Sequence, residues 1–200
     1  MKKGTIGLII IGILVLIIGI FVFRGFVSIP NTALERDQTV EQAWGNVETS
    51  YQRRNDLIGN LVKTVQGAAD FERNTLKEVI EARSKATSVN VDASNLNAAQ
   101  IEQFQKAQSG VSSALSRLLV SVERYPELKA NQNFLKLQDE LTSTENTIQT
   151  ARTRYNTAVK EYNVYIQKIP NSWFLSGYEK KPFFKSDEGA EKAPDVDFNF

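Results

Sequence analysis

The fold of this chain is decided by residues 134–169, which read FLKLQDELTSTENTIQTARTRYNTAVKEYNVYIQKI. In this stretch a ladder of mainly apolar and aromatic side chains recurs at alternating spacings of four and three residues: Phe134, Gln138, Leu141, Glu145, Ile148, Arg152, Tyr155, Val159, Tyr162, Ile166 and Ile169. This spacing places the side chains in one stripe along a single face of an α-helix. Such a stripe becomes buried when helices pack lengthwise with their apolar seams together. The stretch therefore predicts one long helix of a helical bundle.

Two further ladders of the same kind precede this one. The first comprises Val40, Trp44, Val47, Tyr51, Arg54, Ile58, Leu61, Val65 and Ala68, with a weaker continuation to Ala86, and the second comprises Ile101, Phe104, Gln108, Val111, Leu115, Leu118, Val122 and Tyr125. The loop at 87–96 and the turns at Pro126 and Pro170 delimit the segments. The chain is thus predicted to be all-α, with a left-handed antiparallel bundle over residues 31–170.

The first segment leaves two possibilities open. Its ladder weakens near Gly67, and the small or turn-tolerant residues that follow include Asp70, which could cap a new helix. The segment is therefore either one rod or two helices with a break near Gly67–Asp70.

The N-terminal part of the chain is of a different kind. Residues 5–23 read TIGLIIIGILVLIIGIFVF and carry no charge. With a rise of about 1.5 Å per residue this helix is about 28 Å long, close to the roughly 30 Å hydrocarbon thickness of a bilayer. A cleaved secretory signal would have a shorter apolar region and a small-residue cleavage site, and no such site follows Arg24. We therefore expect a short basic N-terminus at 1–4 and a transmembrane anchor at 5–27.

Basic residues near the ends of the anchor predict its orientation. Lys2, Lys3 and the amino terminus precede the apolar run, and Arg24 follows it. Basic flanks stay preferentially in the cytoplasm. We therefore expect a single-pass protein of the inner (cytoplasmic) membrane with its bundle on the extracytoplasmic side. Residues 1–24 hold three of the 24 basic residues and no acidic residue, so the remainder is slightly acidic and attachment is expected through the anchor, not through surface charge.

The composition excludes several kinds of site. The 200 residues include no His and no Cys, which removes zinc sites of the usual nitrogen–sulfur type, cysteine nucleophiles and Ser–His triads. A formal net charge of +1 argues against nucleic-acid binding, which usually needs a clearly basic domain. We expect no catalytic residues, no metal or cofactor site and no enzymatic activity.

Four ionisable residues occupy ladder positions and are the best candidates for chemistry inside the bundle: Arg54, Glu72, Glu145 and Arg152. The favoured interpretation is a polar layer that sets helix register, with Glu145 paired to an arginine of another helix, Arg54 being one candidate. The alternatives are side chains that reach solvent, or a buried ion- or ligand-binding site. Asn156 and Asn163 lie beside the seam, seven residues apart, and are expected to form interhelical hydrogen bonds in preference to ligand contacts.

The C-terminal tail, residues 171–200, contains aromatic clusters too short for helices of their own, Trp173-Phe174-Leu175 and Phe183-Phe184. We expect this tail to fold back over one end of the bundle. The alternative is an exposed tail that binds a partner or touches the membrane. Residues beyond Glu188 are expected to fray, although Val196 and Phe198 are apolar and available to dock.

A long ordered series of motifs runs through the chain. Its members are Trp44, Arg53-Arg54-Asn55-Asp56-Leu57-Ile58-Gly59-Asn60-Leu61-Val62, Phe71-Glu72, Glu81-Ala82-Arg83, Tyr125-Pro126-Glu127-Leu128-Lys129-Ala130, Phe134, Leu137-Gln138, Thr144-Glu145-Asn146, Ile148, Ala151-Arg152, Tyr155-Asn156, Val159, Tyr162-Asn163, Ile169-Pro170, Tyr178, Phe183-Phe184 and Ala193-Pro194-Asp195-Val196-Asp197-Phe198. The series resembles the LemA family of membrane-anchored bacterial proteins. It departs from the family pattern at Gly59, where proline is usual, and at Trp173-Phe174, where small residues are usual.

The resemblance implies an N-terminal transmembrane helix followed by an up-and-down four-helix bundle, and so favours two helices in the first segment. It implies no reaction. Some family members are encoded near membrane metalloproteases, which suggests envelope maintenance and a membrane protease system as partner.

One function is favoured by these observations. It is a membrane-tethered scaffold or adaptor of the bacterial cell envelope, which acts through contacts with an envelope protein. The alternative is a ligand-binding or stress-sensing envelope bundle, which would need a partner protein to relay its signal because the sequence has no second apolar run. An enzyme is the least supported class.

Overall fold

The structure is a computed structural model that describes residues 3–67 and 71–185. Its helices are α1 (Lys3–Gln66), α2 (Arg73–Ser88), α3 (Ala98–Val122), the single turn α4 (Pro126–Lys129) and α5 (Gln132–Gln167), with short 3₁₀ turns at Ala93–Asn95 and Asn171–Trp173. The part of the chain within these bounds contains no β-strand. The all-α prediction is confirmed.

The first predicted segment consists of two helices. α1 ends at Gln66 and α2 begins at Arg73, and α2 packs against the C-terminal part of α1. Arg83 of α2 donates from Nε to the carbonyl oxygen of Asn55 at 2.8 Å. A Cβ atom on Gly59 would lie 3.3 Å from the same guanidinium group, so the absence of a side chain there lets the two helices approach. Asp70, the expected cap, lies outside the described residues.

Pro30 does not separate the anchor from the bundle. The sequence placed it between an anchor at 5–27 and a bundle that starts at 31, but α1 continues through it as one helix. Proline removes one backbone hydrogen bond and crowds the preceding turn, so it usually marks a boundary. Here tertiary contacts hold the helix beside it, since the Tyr165 hydroxyl donates to the carbonyl oxygen of Ile29 at 3.2 Å and Ala33 is fully buried.

The four long helices pack as two antiparallel pairs that lie against each other. Ion pairs between helices show the directions, because the residue number rises along one helix as it falls along its neighbour. Arg36–Glu161 and Arg54–Glu145 join α1 to α5. Glu78–Arg117 joins α2 to α3, and Glu72–Arg124 joins the residue just before α2 to the chain just after α3. The prediction of an N-terminal apolar helix followed by an antiparallel up-and-down bundle is confirmed.

The buried core is divided into two clusters along the bundle axis. The cluster nearer the anchor contains Trp44, Tyr51, Phe104, Ile148 and Tyr155 among others. The distal cluster is formed mainly by aliphatic residues, among them Ile58, Leu61, Val79, Val111, Leu118 and Leu141. The boundary between the two clusters lies at one level of the bundle. At this level α1, α3 and α5 each place a polar or charged residue at a ladder position.

Candidate functional site

The boundary between the two core clusters is a polar layer centred on Arg54, a residue that is only 2% exposed to solvent. Arg54 Nη1 donates to Ser112 Oγ and to Glu145 Oε1, both at 3.0 Å. Its Nη2 donates to Gln108 Oε1 at 2.6 Å and to the Gln108 carbonyl oxygen at 3.2 Å. The guanidinium also lies 4.9 Å from the centre of the Tyr51 ring. We call Arg54, Gln108, Ser112 and Glu145 the arginine layer.

The arginine layer joins three helices at one height. Arg54 comes from α1, Gln108 and Ser112 come from α3, and Glu145 comes from α5. A shift of α1 by one turn would move the buried guanidinium away from all of these acceptors, and a shift of α3 or α5 would remove the acceptors on that helix. A buried charge that loses its partners is costly. Glu145 has a side chain that is 43% exposed, so the anionic partner reaches water while the cation does not. This geometry suits the fixing of helix register better than acid–base chemistry.

A second polar feature lies on the anchor-proximal half of α5, where two asparagines hold the C-terminal tail. Asn163 Nδ2 donates to the Lys181 carbonyl oxygen at 2.8 Å, and its Oδ1 accepts from the Lys181 amide at 2.9 Å. Asn156 repeats this arrangement on Phe184, with distances of 3.1 Å and 2.9 Å. Each side-chain amide therefore pairs with one tail residue as a neighbouring β-strand would. We call Asn156 and Asn163 the asparagine clamp.

The spacing of the asparagine clamp matches the tail it holds. Seven residues of α-helix advance about 10.5 Å, and three residues of extended chain advance about 10 Å. The step from Asn163 to Asn156 on α5 therefore equals the step from Lys181 to Phe184 on the tail. The expected interhelical hydrogen bonds of these asparagines are wrong, because their side chains face an extended segment that has its own unpaired backbone groups.

Three further side chains complete the attachment of the tail. The Tyr155 hydroxyl donates to the Pro182 carbonyl oxygen at 2.9 Å. Arg152 Nη2 and Gln105 Nε2 donate to the Lys185 carbonyl oxygen at 2.9 Å and 3.0 Å. Polar groups of α5 and α3 thus satisfy backbone groups of the tail at Lys181, Pro182, Phe184 and Lys185, which an extended segment without a partner strand requires.

The attached tail places Phe184 inside the anchor-proximal core. The Phe184 ring stacks on Trp44 with a centroid distance of 5.7 Å and meets Tyr155 edge-on at 5.2 Å. The Arg152 guanidinium lies 5.3 Å from the centre of the same ring. Residues 171–185 of the tail therefore fold back as expected, but they run along the side of α5 and fill the core, in addition to covering one end. The expected fraying beyond Glu188 and the docking of Val196 and Phe198 lie outside the described residues.

An ion pair and a buried tyrosine lie beside the asparagine clamp. Lys181 Nζ lies 2.8 Å from Asp37 Oδ1 on α1 and 5.9 Å from the centre of the Tyr162 ring. Burial, together with the negative charges of Asp37, Tyr178 and Glu179, raises the pKa of Tyr162 to about 12. Burial also raises the pKa of Tyr155. Both tyrosines are therefore neutral near neutral pH and serve as packing and hydrogen-bonding groups.

The sequence candidates are distributed over these two features. Arg54 and Glu145 meet in the arginine layer, and Arg152 belongs to the tail attachment. Glu72 is not an interior residue, since its side chain is 45% exposed and pairs with Arg124 at 3.0 Å. The reason is the break between α1 and α2, which interrupts the helical phase on which its ladder position depended.

Two functional groups were missed by the sequence reasoning. Ser112 stands one residue after a ladder position, so its contact with Arg54 had no periodic signal. Lys181 lies in a segment without periodicity, and its pairing with Asp37 follows only from the path of the tail. Gln108 was visible as a polar residue on the second ladder, opposite the arginine that it binds.

The fold and these two polar features define a class of protein, a helical bundle that continues directly from an apolar N-terminal helix. Among the described residues one helix, α1, is long and apolar enough to cross a membrane, and its apolar part is not covered by the rest of the chain. Residues 43–198 match the model of the LemA family. The chain belongs to the LemA family. Family membership and α1 together support a membrane-associated envelope protein.

Several named proteins are similar to this chain. Magnetosome proteins MamQ 2 and MamQ 1 of Paramagnetospirillum magneticum are each 26% identical to it over 176 residues, which cover 78% of this chain and 64% of theirs. Protein LemA of Metamycoplasma hominis is 26% identical over 159 residues, which cover 80% of this chain and 67% of that protein. The chain thus spans less than two thirds of the length of these MamQ proteins.

Proposed function

We propose that this protein is a membrane-tethered scaffold of the bacterial cell envelope, which acts by presenting its bundle to a protein partner. The observation that carries the proposal is the continuity of α1, a 64-residue helix from Lys3 to Gln66. Its N-terminal part exposes apolar side chains and its C-terminal part forms a wall of the bundle. Because the connection between these two parts is itself helical, it contains no flexible linker. The bundle is therefore held at a fixed height and direction relative to the membrane.

The height of the bundle follows from the same helix. About 41 residues separate Gly25, at the end of the anchor, from Gln66, and they advance about 60 Å along the axis. A partner bound near the distal end would be held at that distance from the bilayer. The arginine layer and the asparagine clamp support this role, because both fix the arrangement of helices and tail. The bundle is proposed to lie on the extracytoplasmic side, on the evidence of the basic residues before the anchor.

Photo-crosslinking in intact cells tests the scaffold role. A photoreactive amino acid is placed in the full-length protein at exposed positions on two faces, at Glu81 and Lys106 on the α2–α3 face and at Lys160 on α5. A probe at Leu8, which is exposed within the anchor, is the matched control for contacts made by the membrane span alone. We expect one identified protein to be captured from one bundle face and not from Leu8.

Two outcomes would contradict this proposal. No protein adduct from any bundle position would remove the scaffold role, and a small molecule that copurifies with the bundle in stoichiometric amount would favour the sensor alternative.

The orientation is tested separately by protease treatment of sealed cells. Cleavage of the bundle in cells whose outer barrier has been opened, with the inner membrane intact, is expected, and complete protection would place the bundle in the cytoplasm.

A further inference from the structure

The base of the bundle exposes a group of large apolar side chains that the other described residues leave uncovered. Trp173 is 68% exposed, and Ile169 and Phe26 are exposed to a similar extent. The other tryptophan of the chain, Trp44, is completely buried. Trp173 and Ile169 belong to the segment that follows α5, and Phe26 belongs to α1. We call Phe26, Ile169 and Trp173 the basal collar.

The position of the basal collar is fixed against the anchor by direct contacts. The Phe174 ring lies on the backbone of Gly25, so closely that a Cβ atom there would be 2.5 Å from the ring. The same ring meets Phe26 edge-on, with centroids 5.4 Å apart. Gly25 follows the uncharged run 5–23 by two residues. Trp173, the neighbour of Phe174, therefore stands at the level where the apolar run ends.

Among the described residues, the charges that flank the basal collar are basic. Arg24 and Lys168 flank it and are exposed. The first acidic residue of the chain is Glu35, and residues 167–178 contain no acidic residue. The ten residues from Gly25 to Glu35 advance about 15 Å along α1, so the carboxylates of the helix begin well above the collar. Basic and aromatic side chains are the kinds of group that the headgroup region of a bilayer accommodates.

We propose that the basal collar inserts into the interfacial region of the bilayer that α1 crosses, with Trp173 at the boundary between headgroups and acyl chains. The collar is continuous with the exposed apolar face of α1, which makes lipid the occupant that covers both surfaces together. Tryptophan suits this boundary because its ring is apolar and its N–H is polar. The base of the bundle therefore rests on the membrane, and the tail gives the protein a second lipid contact. The inference depends on α1 spanning the bilayer and is independent of the scaffold role.

Fluorescence quenching by brominated lipids tests the collar. The full-length protein is reconstituted into vesicles of phosphatidylcholine and phosphatidylglycerol, with or without phosphatidylcholine brominated near the headgroup end of its acyl chains. Trp173→Phe leaves Trp44 alone, and subtraction of its signal isolates Trp173. We expect brominated lipid to remove most of the Trp173 emission and little of the Trp44 emission, because Trp44 is enclosed in the core.

A distal tryptophan gives the matched control. Val120→Trp in the Trp173→Phe background places an equally exposed ring, at a site 72% exposed, near the end of α3. Its emission should be insensitive to brominated lipid. If Trp173 behaves like this control while the protein floats with the vesicles, the collar proposal is wrong. If the protein does not float with the vesicles at all, the anchor itself fails, and with it the membrane tether of the proposed function.

Discussion

Replacing Asn163 by alanine removes both hydrogen bonds that hold Lys181 of the tail. The Lys181 amide then loses its acceptor, Asn163 Oδ1 at 2.9 Å, and the Lys181 carbonyl oxygen loses its donor, Asn163 Nδ2 at 2.8 Å. Both backbone groups are partly buried against α5. A net contribution of about 0.5–1.5 kcal/mol for each hydrogen bond gives a loss of roughly 1–3 kcal/mol. Alanine is a better helix former than asparagine by about 0.6 kcal/mol, which partly offsets this loss.

Asn146→Ala separates these two effects. Asn146 lies on the same helix and is exposed, so its replacement reports the helix preference alone and should slightly stabilise the protein. The difference between the two variants in the free energy of unfolding, measured by urea denaturation of the full chain in detergent, is the contribution of the clamp. We expect Asn163→Ala to be less stable than Asn146→Ala by about 1–3 kcal/mol.

Hydrogen exchange shows where the loss occurs. The Lys181 amide donates to Asn163 and the Phe184 amide donates to Asn156, so both should exchange slowly in the unaltered protein. Asn163→Ala should accelerate the Lys181 amide more than the Phe184 amide, and Asn156→Ala should do the reverse. Equal exchange of both amides in all three proteins would refute the clamp.

Three other perturbations probe the remaining features. Glu145→Ala should lower the free energy of unfolding by about 1–3 kcal/mol, because it removes a hydrogen bond to a charged group and leaves Arg54 buried with neutral acceptors only. Arg54→Met added to it should recover part of that loss in urea unfolding; simple addition of the two losses would contradict the pairing. Gly25→Ala should lower the Tm, since the added Cβ meets the aromatic ring packed on it, whereas Gly19→Ala, with open space around it, should not; equal Tm values would exclude the contact. As the pH rises from 10 towards 12, the unfolded chain ionises Tyr162 before the folded protein does, because its pKa is raised to about 12. Stability should therefore fall, and Tyr162→Phe should reduce this fall in alkaline unfolding curves; an unchanged curve would refute the assignment.

The helices of the bundle could be predicted because their signal is local. The ladders around Val47, Val111 and Ile148 place buried residues at helical spacing, which predicts amphipathic helices. The short connections between consecutive helices then favour antiparallel packing. Arg54 and Glu145 were recognisable as unusual because they interrupt those ladders. Arg54 Nη1 and Glu145 Oε1 lie 3.0 Å apart in the structure. Predicting this pair required only one further assumption, namely which helices are neighbours in the bundle.

Features that depend on tertiary contacts could not be read in this way. Pro30 has the local chemistry of a helix end, yet contacts around Ile29 and Ala33 keep α1 continuous. The asparagine clamp has a helical spacing of seven residues, which by itself suggested another helix as partner. An extended segment whose length matches the rise of the helix is an equally good partner. The sequence of the tail has no periodic pattern that predicts where such a segment lies.

The continuity of α1 between anchor and bundle is the central claim of this account. Hydrogen exchange of the full-length protein in lipid nanodiscs, followed at each backbone amide from residue 18 to residue 34, tests it most directly. A continuous helix predicts slow exchange throughout this range, with protection on both sides of Pro30, which has no amide hydrogen. A run of rapidly exchanging amides between Phe23 and Ala33 would show a flexible tether and would contradict the proposed scaffold geometry.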